Sequence, residues 1–440
     1  MLQSETVRKY DTYKDSGIEW IGEIPQNWKL LRLQFCLDEI KQKNNPIQSE
    51  QVLSLVKDRG VMLYEEKGNV GNVAKEDISE YKLAYPNTLI LNSMNILIGS
   101  VGISNYFGCV SPVYYVFKET DKSDLRFINY IFTTREFQKE LRRYANGIME
   151  IRLRVSAQDI FKRKIAFPNK QEQIKIADYL DKKCGEIDKV VETEKSVIEK
   201  LKEYKQSIIT EAVTKGLDKN TQFKDSSIEY IGNIPSNWNI KRLRYFATCQ
   251  NGISKGGEFF GDGSPFVSYG DVYNNNVLPE VVEGLCMVTD TEKENYSVRE
   301  GDIFFTRTSE TIEEIAITCV CKKTIENATF AGFLIRVRPY TDELVVGYSK
   351  YYFASEIHRK FFVKEMNLVT RASLSQELLK KLPVLIPPKD EQQRIAEYLD
   401  KKCSEIDKAI GDKQQVIEKF TEYKKSLIYE CVTGKRKVIM

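Results

Sequence analysis

The chain has 440 residues, 66 of them basic and 63 acidic, for a net charge of +3. That length exceeds one ordinary core and implies several domains, while the balanced charge excludes a basic tail protein or an acidic disordered one and leaves nucleic acid binding open. The single histidine, His358, excludes a His-Glu-x-x-His zinc site, and nine scattered cysteines define no disulfide framework and suit a reducing cytoplasm. Met1 to Lys14 is polar and lacks an apolar signal core, and no run reaches about 18 uninterrupted apolar residues, so no membrane span is expected.

In chain order, a leading segment (residues 1–28) ends on Lys14-Asp-Ser-Gly-Ile-Glu-Trp-Ile-Gly-Glu-Ile-Pro-Gln-Asn-Trp28. A first body, 29–168, follows, with strands expected at Leu89-Ile-Leu and Val113-Tyr-Tyr-Val-Phe and an aromatic-rich amphipathic helix over Leu125 to Ala145. Residues 169–216 form one long helix whose apolar seam runs at a 3.5-residue spacing through Leu180, Ile187, Val191, Ile198, Leu201 and Ile208. Its flanks are dense in both charges, nine basic and ten acidic side chains over 171–216, which marks a packing surface and not a phosphate-binding one.

The plan then repeats. The leading motif returns as Lys224-Asp-Ser-Ser-Ile-Glu-Tyr-Ile-Gly-Asn-Ile-Pro-Ser-Asn-Trp238, inside a segment 217–238 and displaced by 210 residues. A second body, 239–387, carries expected strands at Asp302-Ile-Phe-Phe-Thr, Ile315-Ala-Ile-Thr-Cys-Val and Phe333-Leu-Ile-Arg-Val-Arg, and a helix over Gly347 to Lys364 that places His358 on its polar face. Cys319-x-Cys321 alternates as a strand does and is a weak metal signal. A second long helix, 388–435, has the seam Leu399, Ile406, Ile410, Ile417, Phe420 and Leu427. From Tyr179 and from Tyr398 the two helices share 22 identities in 38 aligned positions, displaced by 219. At about 1.5 Å per residue each helix is roughly 60 Å long, too long to bury its seam in a small domain, so each is the other's simplest partner. The bodies between them share little sequence. Trp28 and Trp238, which lie in the repeated frame, are expected to pack their bodies against the helices.

No Walker A sequence, Asn/Asp-Pro-Pro-Tyr sequence or correctly spaced Gly-x-Gly-x-x-Gly is present; Gly252-Ile-Ser-Lys-Gly-Gly257 has the wrong spacing. The acidic-x-Lys triplets Glu203-Tyr-Lys205 and Glu422-Tyr-Lys424 fall inside the seamed helices. This census describes a reader or scaffold and not a catalyst.

These motifs resemble the specificity (S) subunit of type I restriction-modification enzymes. The resemblance rests on Ile-Gly-x-Ile-Pro-x-Asn-Trp at 21–28 and 231–238, and on the junctions Phe167-Pro168-x-x-x-Glu172-Gln173-x-x-Ile176 and Ile386-Pro387-x-x-x-Glu391-Gln392-x-x-Ile395. The Tyr-Leu-Asp-Lys-Lys-Cys that follows each junction, and the segments Gly301-Asp302-Ile303-Phe304 and Ser111-Pro112-Val113-Tyr114, extend it over nearly the whole chain. It implies a mixed α/β (α+β) fold with a pseudo-twofold repeat. Two target recognition domains would be separated by two long antiparallel coiled-coil helices. It further implies double-stranded DNA as ligand, read as a bipartite asymmetric site, with two modification (methyltransferase) subunits and restriction subunits as partners. S-adenosylmethionine, ATP and Mg²⁺ would then act on those partners and no cofactor or metal on this chain.

Candidate base- or phosphate-contacting groups are polar residues clustered in each body, because Arg, Asn and Gln carry the donor geometry that base edges require. In the first body these are Asn92, Ser93, Asn95, Arg142, Arg143, Asn146, Arg152 and Arg154. In the second they are Ser254, Lys255, Tyr269, Arg307, Thr308, Ser309, Thr311 and Arg371; the offset of 219 carries Arg152 onto Arg371. Two other readings stay open here. A non-catalytic coiled-coil scaffold with protein- or carbohydrate-binding domains would show no steep salt dependence with DNA, and a self-sufficient nuclease or methyltransferase would yield product alone.

Overall fold

A computed structural model describes residues 8–57, 59–69, 73–147, 153–218, 220–309, 315–365 and 372–438. The chain forms two compact units, Met1–Lys195 with Gln414–Met440, and Ser196–Lys413, so the boundary falls inside both long helices, Lys170–Lys215 and Lys389–Val432. Each unit is therefore built from one body and one half of each helix.

In the first unit a four-stranded antiparallel sheet has the order Leu37–Ile40, Tyr114–Glu119, Thr88–Asn92, Val101–Ser104. In the second unit the order Ala247–Asn251, Leu334–Pro339, Ile303–Thr306, Thr318–Val320 repeats it, again antiparallel throughout. Two bodies without recognisable sequence identity thus share one strand topology. In both, the last body strand returns to the frame: Lys164–Phe167 pairs with Lys29–Arg32, and Pro383–Ile386 with Asn239–Arg242. The second body adds a three-stranded sheet in which Phe260–Val267 lies between Leu285–Cys286 and Thr329–Phe330.

The repeated motifs owe their residue types to this frame. Gln173 and Gln392 are completely buried at the helix starts. The Gln173 amide donates to the Pro168 and Lys122 carbonyls at 2.9 and 3.2 Å and accepts from the Asp124 backbone at 3.0 Å. Gln392 does the same with Pro387, Glu343 and Val345, each at 2.8 Å. Only a buried carboxamide supplies two donors and an acceptor there. Two turns on, the aspartate of Tyr-Leu-Asp holds the body: the Tyr130 hydroxyl donates to Asp181 at 2.7 Å and Tyr351 to Asp400 at 2.6 Å. Trp28 and Trp238 are fully buried, and Trp28 donates to Glu172 at 3.2 Å. The helices end on Gly216 and Gly434 at φ +75° and +74°. A Cβ on Gly434 would lie 2.3 Å from Pro25, and one on Gly216 would lie 3.3 Å from Trp238, so the leading motif sits directly on a helix end in each unit.

Leu180, Ile187 and Leu427 are buried in the core of the first unit, with Val191 and Phe420 packed partly against it. Ile208, Leu399 and Ile406 are buried in that of the second, with Leu201 and Ile410 at its edge. Ile198 is buried and Ile417 half-buried. In the first unit Lys424 reaches both oxygens of Asp188 at 2.7 Å; in the second Lys205 does the same to Asp407. From Asp188 to Lys205 along one helix the partner moves back from Lys424 to Asp407 along the other, the sign of antiparallel pairing. These exposed ion pairs contribute at most about 1 kcal/mol each and specify register more than stability. They also account for the lysines of both acidic-x-Lys triplets.

Three local expectations need correction. The segments 125–145 and 347–364 are each two helices, Leu125–Thr133 with Arg135–Arg142, and Val346–Ala354 with Ile357–Glu365. Thr134 and Ser355 break them in extended conformation, their hydroxyls bonding back to Ile131 and Tyr352. The strand expected from Ile315 begins only at Thr318, because Ala316 takes a positive φ of 56°. His358 is not on a polar face. It is 4% exposed among Phe305, Phe353 and Phe362, and this burial pushes its pKa down to about 3.

Candidate nucleic acid interface

In the first unit the strand Thr88–Asn92 leaves the sheet in a tight turn. Asn92 and Ser93 are buried. The Asn92 carboxamide accepts from the Met94 backbone at 3.1 Å, and the Ser93 carbonyl from that of Val155 at 3.3 Å. The Asn92 side chain and the Ser93 backbone therefore shape the turn from within, whereas Asn95 is exposed. The chain comes back beside this turn: Asn146 and Arg154 exchange both backbone hydrogen bonds at 2.8 and 2.9 Å, and the exposed Arg154 guanidinium reaches the Met94 sulfur at 3.6 Å. Residues 50 and more apart in sequence thus form one surface. Arg142 and Arg143 are exposed at the end of the helix Arg135–Arg142, where Arg143 pairs with Glu19 at 2.7 Å and Glu140 at 3.2 Å.

The second unit builds the same place with other residues. The strand Ile303–Thr306 ends at half-buried Arg307, whose carbonyl accepts from Leu374 at 2.8 Å. Leu374 lies 219 residues beyond Val155, so Arg307 occupies the position of Ser93. Thr308 and Ser309 pair with Ser373 and Ala372. The Tyr269 hydroxyl donates to the Thr308 carbonyl at 3.3 Å, and its ring stacks on Tyr273 with centroids 5.7 Å apart. Exposed Ser254 lies against Gly332, where a Cβ would come 2.2 Å from its hydroxyl.

Lys255 is engaged within the unit. Its ammonium contacts the Met287 carbonyl and Glu292, both at 2.8 Å, and lies over the Phe259 ring. Arg152, Thr311 and Arg371 lie outside the described residues. Sequence reasoning missed Phe333: it reads as the first residue of a core strand, yet it is 64% exposed, one residue before Leu334–Pro339 begins. Tyr273, 37% exposed, gave no signal either.

Chemistry elsewhere is muted. Cys319 and Cys321 are buried, and burial raises both thiols, Cys321 to about 12, which disfavours the thiolate. Among the described residues no group of three or more His, Cys, Asp or Glu could hold a metal ion, and no helix is long and apolar enough to cross a membrane.

Residues 235–419 match the family described as type I restriction modification DNA specificity domain. The putative type I restriction enzyme MjaX specificity subunit of Methanocaldococcus jannaschii is 26% identical, spanning 95% of this chain and 96% of its own length. The EcoKI specificity subunit of Escherichia coli is 25% identical over 54% of this chain and 50% of its own. Among solved structures, a chain described under complex assembly and conformational transition of the type I R-M system superimposes with a TM-score of 0.72 at 14% identity, covering 93% of this chain and 98% of the other. The HsdS subunit from Thermoanaerobacter tengcongensis, at 15% identity and the same coverage, gives 0.51.

Proposed function

We propose that the chain is a specificity subunit of a type I restriction-modification system, on the strength of the family match over residues 235–419 and the full-length relative. It is a sequence-specific DNA-recognition subunit. Each unit reads one half of a bipartite, asymmetric site, and the pair of helices common to both units sets the number of unread base pairs. Two modification subunits dock on the repeated frame and restriction subunits complete the enzyme. Methyl transfer from S-adenosylmethionine and ATP- and Mg²⁺-dependent cleavage belong to those partners, and this chain supplies no catalytic group.

The observation that carries this reading is the pairing of one frame with two different surfaces. The loop after the third strand of each sheet occupies the same place, held by the same backbone bond to Val155 or Leu374, but presents Asn95, Asn146 and Arg154 in one unit and Arg307, Thr308 and Ser254 in the other. Equal frames suit identical partners, and unequal surfaces suit unequal half-sites. The exposed arginines and amides can offer paired donors to guanine and adenine edges.

The test is methylome sequencing of cells that express the chain with its modification partner. A new bipartite motif carrying methyladenine in each half is the expected result. If an active, bound partner adds no new motif, the reading fails. Exchanging residues 239–387 for another body is expected to change one half-site only.

A further inference from the structure

Phe333 stands out against the strand it leads into. Its ring is 64% exposed, whereas Leu334, Ile335 and Val337 after it are completely buried. Nothing loose accounts for that exposure, because the turn bearing it is pinned on every side. Ala331 donates to Val267 at 3.0 Å, Gly332 to Ile253 at 2.7 Å, and Leu334 to Ala331 at 3.0 Å, while the Phe333 carbonyl accepts from Arg307 at 2.9 Å. Gly332 packs closely, since a Cβ there would lie 2.2 Å from the Ser254 hydroxyl and 3.1 Å from the Ile253 carbonyl. A turn bonded to the Arg307 backbone and packed through Gly332 against Ser254, two groups of the candidate reading surface, therefore holds the exposed phenyl ring.

Resting on the function proposed above, we infer that Phe333 is a specificity-determining residue that recognises a thymine 5-methyl group in the half-site read by the second unit. The major groove marks thymine by that methyl, the one apolar feature among the base edges, and a phenyl ring is a fitting counterpart. Arg307 beside it would fix the neighbouring base or phosphate. Because the ring is presented on a preformed turn, little ordering entropy opposes the contact.

The experiment uses the full chain bound to its modification partner, with DNA carrying the recognised motif. Each thymine is replaced in turn by uracil, which deletes only the methyl group. For the wild type, one position in one half-site is expected to weaken binding about four-fold, the value of one buried methyl group. In Phe333→Ala that thymine-to-uracil ratio falls to one, while Phe333→Leu keeps part of it. Melting temperatures of both variants match the wild type, because the side chain is exposed. An undiminished ratio in Phe333→Ala overturns the inference, as does a wild type without any uracil-sensitive position. A wild-type complex that prefers no sequence at all would instead sink the underlying reading of the chain as a DNA reader.

Discussion

Replacing Gln392 by alanine removes the carboxamide that ties the second body to its helix. The side chain is 0% exposed, and its three hydrogen bonds, each 2.8 Å long, go to backbone groups of Pro387, Glu343 and Val345. Val345 is the N-cap of the helix Val346–Ala354 and has no capping side chain of its own, so Gln392 caps that helix from a distance. Leaving a buried backbone group unpaired costs about 1–3 kcal/mol. Water entering the vacated space offsets part of this, which places the total at roughly 3–5 kcal/mol, near the upper range for single substitutions. Gln392→Glu does not rescue: it keeps an acceptor for Val345 but turns a carboxylate oxygen toward two carbonyls. Hydrogen exchange read by mass spectrometry is the assay, because a two-unit chain need not unfold in one step. Protection is expected to fall in peptides covering 341–354 and 383–395 and to persist in those covering 120–133 and 164–176. A loss under about 1 kcal/mol, or an equal loss in both units, would refute the capping argument. Gln173→Ala is expected to give the mirror result.

Asparagine at Ile187 or Ile406, 5% and 7% exposed, is expected to lower stability by a few kcal/mol each, and the double variant to lose partner assembly in sedimentation experiments. Asp302 is fully buried, binds Arg338 through two bonds of 2.6 Å and accepts from the Arg299 backbone at 2.7 Å; Asp302→Ala is expected to cost about 3–5 kcal/mol in chemical denaturation, by stranding the Arg338 charge. The His358 pKa of about 3 in the folded chain lies below its ordinary 6.5, so the unfolded chain takes up the proton first and stability falls as pH drops from about 6.5 towards 3. Relative to His358→Phe, the wild type is expected to lose up to about 1.4 kcal/mol per pH unit in that window, measured by urea titration at stepped pH. Arg154→Ala and Arg307→Ala are each expected to relax or weaken recognition of a different half-site, read from the methylated motif.

Local signals made the frame legible. The 3.5-residue seam marked both helices, the identities after Tyr179 and Tyr398 showed the duplication, and Trp28 and Trp238 in the repeated motif marked residues that pack on the frame. These features depend on neighbours a few residues away, or on the repeat itself. The shared strand order of the two bodies was not legible, because the pairing of the first strand of each sheet joins residues about 76 to 92 apart, which two divergent sequences satisfy with different side chains. The candidate surface was visible only as composition. Folding turned Asn92 and Ser93 inward, occupied Lys255 with Glu292, and brought Arg154 to Met94. His358, placed on a polar face, and Phe333, given no place on the surface, escaped the sequence for one reason. A polar ring is buried when aromatic neighbours close over it, and an apolar ring is exposed when a rigid turn carries it clear of the core. Residue type sets what burial or exposure costs, but only the packed structure decides which of them occurs.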